Sequence, residues 1–474
     1  MRVHRAILVS AAAILLIGCT VGPRCKRPAV AVPAQWSLIP GHGLSAQTNS
    51  IESWWTQFGD PTLDNLIHCA ASSNLDLLQA ADRVNEARAS AGIVRSDFFL
   101  RIGSTAAASR NRVRVVAAQG RTSYAFVPIE LSNFQGRFDA SWELDVFGRI
   151  RSEYRAAKGD AAAAEEDRSA VFVTVVADVA RYYADLRGAQ LRLSLAQQNI
   201  TTDTDILSLT RVRTAAGLAT ETDVARASAQ LESVAAQVPS LEAAIALNIY
   251  RLGVLLGEQP LVLEQELAAV KPLPSPPPLL FAGLPSDLIE QRPDIRQSEA
   301  KLYAQNARIG AAKADYFPRF MLTGGAGRET AVLHDITLGA ANLFSAGPSV
   351  SLPIFTAGRI RSNVALQQAR ANEASNAYRS TLLRAFEETQ GALTRYAKDQ
   401  NRLEHLRRAV AGEQDALALS QVQYRAGLAD FLAVRDAERE LYTRQDEEAQ
   451  SSTALVTDAI AVYKALGGSY KTQP

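Results

Sequence analysis

Histidine, cysteine and methionine are scarce in this sequence, numbering five, three and two among 474 residues. The histidines at positions 4, 42, 68, 334 and 405 are scattered, and none stands at metal-ligand spacing from a cysteine or another histidine. No nucleophile-and-base motif and no phosphate-cradling loop is present. Gly324, Gly325 and Gly327 lie at the end of a strand-like stretch, not ahead of a helix. The sequence therefore gives no support to an enzyme, a metal or a cofactor. It also lacks an excess charge: 50 basic against 49 acidic side chains leave no field to attract nucleic acid. Aromatics are few, at 7%. Ala, Gln, Arg, Glu and Leu abound, and that balance leans towards long helices.

What is present begins at the N-terminus. Arg2, His4 and Arg5 form a short basic segment, and Ala6 to Ile17 is an apolar run too short to span a bilayer as a helix. It ends in Leu16-Ile17-Gly18-Cys19, which resembles the bacterial lipobox, the signal after which a cysteine is lipidated and becomes the new N-terminus. Residues 1–18 then read as a signal peptide. By the same resemblance, Thr20 after the cysteine, where retained lipoproteins carry Asp, sorts the protein to the outer membrane. Cys25 and Cys69 remain, either paired in an oxidising periplasm or as single thiols; sequence does not set the geometry a disulfide needs.

The rest of the chain is written twice. Ser96-Asp97-Phe98-Phe99-Leu100-Arg101-Ile102 returns as Ala314-Asp315-Tyr316-Phe317-Pro318-Arg319-Phe320. Phe147-Gly148-Arg149-Ile150-Arg151-Ser152 returns as Ala357-Gly358-Arg359-Ile360-Arg361-Ser362, and Ala216-Gly217-Leu218-Ala219 as Ala426-Gly427-Leu428-Ala429. The interval from Gly148 to Gly217 equals that from Gly358 to Gly427, and chance matches do not keep register over such a distance. The copies cover 61–260 and 285–474. Between them the Pro-rich stretch 261–284, including Lys271 to Pro278, cannot continue a helix and runs extended. Residues 19–60 read as an extended strap, with Trp36 as its anchor.

Within each copy the hydrophobic period changes in the same order. A helical stretch comes first, with Leu75, Leu78, Ala81 and Ala89 in one copy and the segment after Pro293 in the other. The period then drops to two. Phe138, Ala140, Trp142, Leu144 and Val146 alternate with polar residues, as do Val350, Leu352 and Ile354. Runs beginning at Phe98 and Phe320 make up the set. Strands are expected at about 98–110, 135–147, 316–328 and 345–356, each long enough to cross a membrane with one face to lipid. A helical seam follows: Val175, Val179, Tyr182, Leu186, Ala189, Leu193, Ala196 and Ile200 step by four and three. Past Gly217 the return limb repeats it through Val224, Ala227, Leu231 and Val234. The hairpins are expected at about 150–256 and 358–466, with Pro239 and Gly188 bending or interrupting a limb. One limb alone, from Ile150 to Arg213, is about 95 Å of helix at 1.5 Å per residue.

Four membrane strands cannot stand alone, because an open sheet leaves backbone groups unsatisfied in lipid. Two chains would give eight strands, about the smallest barrel and one filled by its own side chains. Three give twelve strands and an open lumen, so a homotrimer is expected. The fold class expected is α+β: a trimeric membrane β-barrel, four strands per chain and twelve in total, continued by a long α-helical coiled-coil barrel, with internal duplication.

At this point separate motifs in one order carry a resemblance. They are Cys19-Thr20-Val21-Gly22-Pro23, Trp142-Glu143-Leu144-Asp145-Val146-Phe147-Gly148-Arg149, Gly283-Leu284-Pro285-Ser286-Asp287-Leu288, Arg292-Pro293-Asp294-Ile295, and Pro353-Ile354-Phe355 with Gly358-Arg359. Over nearly the whole mature length the chain resembles the outer membrane factors, the TolC-like channels of tripartite efflux systems, in their lipoprotein (OprM-like, NodT-type) branch. The resemblance implies a trimer whose twelve-stranded outer-membrane barrel continues into a long periplasmic helical tunnel, docking on a periplasmic adaptor protein and an inner-membrane pump of the RND type.

It also implies sites. Arg213, Gly217, Leu218 and Ala219 match the family's adaptor-contacting tip, as do Gly427 and Leu428 with the neighbouring Arg425. A glycine there suits a reversal that needs positive φ after a helix. Thr222 and Asp223 fall on periplasmic gate positions after the first tip, Tyr424 and Asp436 on those around the second, and Arg425 is the available cation. Ala429 and Ala433 stand where the TolC branch has an arginine and an aspartate, so a thinner closure network is expected. Asp436 and Arg439, at (i, i+3), equally suit a plain surface pair. Two other readings stay open: the channel of a type I protein secretion system, and a periplasmic adaptor lipoprotein, which would carry one hairpin instead of two. The exported cargo is not written in the sequence.

Overall fold

The computed structural model describes residues 21–23, 26–37, 44–45, 53–118, 124–333 and 336–468. Cys19 and Cys25 lie outside them; Cys69 is an exposed free thiol. The chain divides into two compact units, each assembled from matching parts of the two sequence copies.

The described residues of the first unit fall within 21–28, 84–163 and 298–377, and one four-stranded antiparallel sheet organises them. Its strands are β1 (Arg101–Ala118), β2 (Tyr124–Leu144), β3 (Arg319–Leu333) and β4 (Ile336–Ser351), paired in chain order. The register sets Ile102 opposite Ala140, Phe138 opposite Ala326 and Ala326 opposite Phe344, so these residues share one face. That face is apolar and uncovered, with Ile102 71%, Phe138 64% and Phe344 84% exposed. The opposite face carries Thr105, Asn133, Asp139, Glu329 and Ser349. One apolar and one polar face is the pattern of a strand between lipid and water.

The observed strands differ from those expected. β1 starts later because Asp97, Phe98 and Phe99 turn back, their amides bonding to the carbonyls of Val94, Arg95 and Ser96. β2 stops at Leu144 because Asp145 is occupied as a helix cap, accepting from the amides of Ile150 and Arg151 at 3.1 and 2.9 Å. At their other ends β1 and β2 run on past the alternating apolar stretch, to Ala118 and from Tyr124. Ladder hydrogen bonds do not require apolar side chains, so the sheet outlasts the pattern that revealed it.

The motif around Gly148 is explained at this junction. Arg149 forks onto Glu143 at 2.9 and 2.7 Å and reaches Glu153 at 2.9 Å. Phe147 stacks on Phe317 with ring centroids 4.7 Å apart. Gly148 and Gly358 take φ of +78° and +86°, a region that penalises a side chain. Helices α3 (Arg149–Ala215) and α7 (Arg359–Arg425) start there, and both are 67 residues long. Each is about 100 Å at 1.5 Å per residue.

The second unit comprises residues 29–83, 164–297 and 378–474. It holds α1 (Pro61–Ser73), the starts of α2 (Leu75–Ser96) and α6 (Pro293–Ala314), the later parts of α3 and α7, and the return limbs α4 (Glu221–Ala235), α5 (Val238–Leu255) and α8 (Phe431–Ala465). Its core is the seam read from sequence, with Val175, Val179 and Leu186 buried beside Leu382, Leu393 and Ala459. Trp54 stacks on Tyr463 at 4.9 Å, and the Tyr183 hydroxyl donates to Asp60, which caps α1. Trp36 of the strap is buried, its indole N–H donating to the Ala282 carbonyl at 3.3 Å. Arg292 of the Arg-Pro-Asp motif bonds Asp294, Glu388 and the Ala465 carbonyl at the end of α8.

Pro239 does interrupt its limb, separating α4 from α5. Gly188 does not interrupt α3. A Cβ placed there would clash with Thr453 Oγ1, so this glycine permits close helix packing.

Candidate functional site: the hairpin tips

Both long hairpins reverse by the same device. After α3 the amide of Leu218 donates to the Arg213 carbonyl at 2.8 Å, and that of Gly217 to Thr214 at 2.9 Å. After α7 the amide of Leu428 donates to Gln423 at 2.9 Å, and that of Gly427 to Tyr424 at 3.1 Å. This paired closure is a Schellman motif, which needs a left-handed residue. Gly217 and Gly427 supply it, with φ of +74° and +73°. A Cβ at either would meet nothing within 4 Å, so conformation and not crowding demands glycine.

In such motifs the residue after the glycine commonly packs an apolar side chain back on the helix. Here the helix positions it would meet are Arg213 and Val212 in one tip and Gln423 and Val422 in the other. Leu218 and Leu428 are left 70% and 81% exposed. The bareness extends up both helices in register: Leu209 and Val212 on α3, Leu419 and Val422 on α7, all more than half exposed. Whatever packing the turns provide, most of both leucines stays bare within one chain.

The two tips touch each other through residues expected in different roles. The Arg213 guanidinium lies 4.5 Å from the Tyr424 ring centre, and Tyr424 meets Phe431 at 5.9 Å. Arg425, Thr222 and Ala219 are not part of that contact; Arg425 and Thr222 are exposed and Ala219 half-buried. Asp223 is engaged locally. It accepts from the Thr220 amide and hydroxyl at 3.0 and 2.8 Å, closing a capping box at the start of α4, and these bonds hold its carboxyl below the usual range. Asp430 caps α8 in the second tip by accepting from the Ala433 amide at 3.0 Å. Asp436 is exposed and pairs with Arg439 at 3.5 Å, the plain surface pair.

Sequence reasoning missed an ion cluster on the same hairpins. Arg435 Nη1 reaches Asp203 at 2.9 Å and Glu438 at 2.6 Å, and the acidic side chains are only 0% and 1% exposed. Two buried carboxylates share one guanidinium. Burial pushes the Glu438 carboxyl up to about 7, Arg435 pulls it down, and Asp203 adds to the rise. Burial also raises Asp203 and the Tyr442 phenol beside it. The signal was available, because continuing the seam from Ala196 and Ile200 by three lands on Asp203. A charge on an apolar seam marks a buried ion pair. Among the described residues, no group of three or more His, Cys, Asp or Glu could hold a metal.

Membrane-type strands continuous with twin helical hairpins that end in exposed tips define a channel-forming protein of the outer membrane. The chain belongs to the outer membrane efflux protein family, whose model matches residues 66–258 and 284–468, once per sequence copy. It is 32% identical over 468 residues to a probable efflux pump outer membrane protein, SepC of Pseudomonas putida, covering 97% of this chain and 96% of that one. It is 31% identical over 466 residues to the pyoverdine export outer membrane protein OpmQ of Pseudomonas aeruginosa, with 97% and 96% covered. The solved outer-membrane channel OprN superposes with a TM-score of 0.85 at 34% identity, covering 95% of this chain and 99% of that one. The fold class and the channel function expected from sequence both stand: this is an outer-membrane channel component of an efflux system.

Proposed function

We propose that three copies of this chain close a twelve-stranded barrel and a helical tunnel, and that the tunnel's tips dock on a periplasmic adaptor protein serving an RND-type inner-membrane pump. The chain then acts as a passive conduit and catalyses nothing. Cys19 carries the lipid that ties the strap to the outer membrane. The observation that supports trimerisation is the uncovered surface of one chain. β1 and β4 end the sheet as open edges, which lipid does not tolerate. The return limb of α4 and α5 is apolar, yet only 28% of its most apolar stretch is buried within the chain. Neighbouring copies are the partners that would cover both.

The single observation that carries docking is the duplicated exposure of Leu218 and Leu428 on rigid Schellman turns. Arg213, Gly217 and Ala219 shape the first of these surfaces and Gly427 the second. Closure we assign to Thr222, Asp223, Tyr424, Arg425 and Asp436. Tyr424 supports that assignment by gripping Arg213 across the two tips, while Asp223 acts through the cap it forms. The test is the double variant Leu218→Glu/Leu428→Glu in the lipidated, full-length protein. Loss of adaptor cross-linking and of export with an intact heat-resistant trimer is expected. Undiminished cross-linking and export would overturn the docking.

A further inference from the structure

The apolar face of the sheet does not stay apolar along its whole length. The next three residues of β1 on that face after Ala108 are Arg110, Arg112 and Arg114, and Arg328 of β3 lies on the same face. All four are exposed. Among the described residues of the four strands, Glu130 is the one acid on this face. It accepts from Arg110 at 2.6 Å and from Arg112 at 2.7 Å, fixing two guanidiniums side by side and leaving the cluster net positive.

Depth is what makes the cluster informative. Arg110 and Arg328 each stand nine residues beyond the first residue of their strand, Arg101 and Arg319. A strand tilted about 45° crosses the hydrocarbon in about 9–11 residues. Both arginines therefore mark the outer edge of the apolar band, at the end away from the helices, and Arg112 and Arg114 lie just past it. A lipid-facing arginine is costly at mid-bilayer and nearly free at the interface. At that interface the anions within reach are phosphates, which a guanidinium binds through two parallel hydrogen bonds.

We propose that Arg110, Arg112, Arg114 and Arg328 form a binding site for the phosphate-bearing headgroups of outer-leaflet lipids. The inference rests on the sheet spanning the outer membrane with its helices on the periplasmic side. Lipid bound there lies against two strands of the same chain and braces the stretch of sheet that runs past the apolar band. Glu130 keeps the guanidiniums extended along the face instead of folded into solvent.

The test uses purified full-length trimer in mild detergent, with bisphosphorylated lipid A, the same lipid treated with phosphatase, and inorganic phosphate as probes. Bisphosphorylated lipid A is expected to raise the temperature at which the heat-resistant trimer dissociates. Dephosphorylated lipid and inorganic phosphate are expected not to. The variant R110Q/R112Q/R114Q/R328Q is expected to retain about tenfold less lipid phosphate per trimer after purification. The same shift from dephosphorylated lipid, or from inorganic phosphate, overturns the site, and the wild-type arm decides this even where the variant fails to assemble. Equal retained phosphate in wild type and variant also overturns it. Either failure with an intact trimer leaves the channel reading standing.

Discussion

Replacing Glu438 by glutamine probes the buried cluster most sharply, because the sign of the effect reverses ordinary expectation. The Glu438 carboxyl titrates near 4.5 in an unfolded chain and is pushed up to about 7 in the fold, chiefly by burial. Between those values the folded state holds a proton that the unfolded state releases. The stability tied to that proton is fully present below the unfolded value and is lost as pH rises through 7. A shift of this size is worth about 2–3 kcal/mol after allowance for water reaching the cluster. With an unfolding entropy of about 1 kcal/mol/K for a chain this long, the change is about 2–3 °C in Tm. Glu438→Gln keeps an oxygen for the Arg435 bond and removes the charge. Far-UV circular dichroism melts of the assembled protein should match wild type at pH 5. At pH 8.5 the variant should melt higher, leaving Asp203 and Arg435 as a balanced pair. Arg435→Met should do the opposite and cost about 3–5 kcal/mol at pH 8.5, since it strands two buried carboxylates. A Glu438→Gln variant that melts lower than wild type at pH 8.5, or keeps the wild-type pH dependence, would refute the reasoning.

Other substitutions have equally definite outcomes. Gly188→Ala pushes a methyl into Thr453 and should cost about 1–3 kcal/mol by overpacking, with Thr453→Ala restoring the melt of the double variant. Thr220→Ala opens the capping box at α4 and should cost about 1 kcal/mol; an unchanged melt would show that the cap contributes nothing. Gly217→Ala forces a side chain into the left-handed region and should cost about 1–2 kcal/mol, with amide exchange quickening first at residues 215–220. Asp436→Ala should raise single-channel conductance, and an unchanged value would remove Asp436 from the gate.

Most of the architecture was legible because it is periodic and repeated. The equal spacing of Gly148–Gly217 and Gly358–Gly427 anticipates two helices of one length and two tips of one geometry. The period of two exposed the strands only where one side met lipid. It ended at Arg110, although the strand continues, because hydrogen bonding there no longer needs apolar side chains. The packing role of Gly188 was not legible, because sequence shows a missing side chain without showing its neighbour, and Thr453 lies far along the chain. Asp203, Arg435 and Glu438 were overlooked for a related reason. Each looks like surface charge until the opposing helix is placed, and only the seam position of Asp203 hinted otherwise. Asp223 was legible as a polar residue after a tip, but its cap with Thr220 needed backbone geometry. The exposure of Leu218 and Leu428 likewise depends on what fails to pack over them.

We propose that this chain closes a pore whose narrow end lies at its hairpin tips. The decisive measurement is single-channel recording of the purified heat-resistant trimer in planar lipid bilayers, comparing wild type with Tyr424→Ala, which cuts the link to Arg213. Discrete conductance steps are predicted for both, larger in the variant. Absence of steps from either protein would contradict the pore, and equal steps would move its constriction away from the tips.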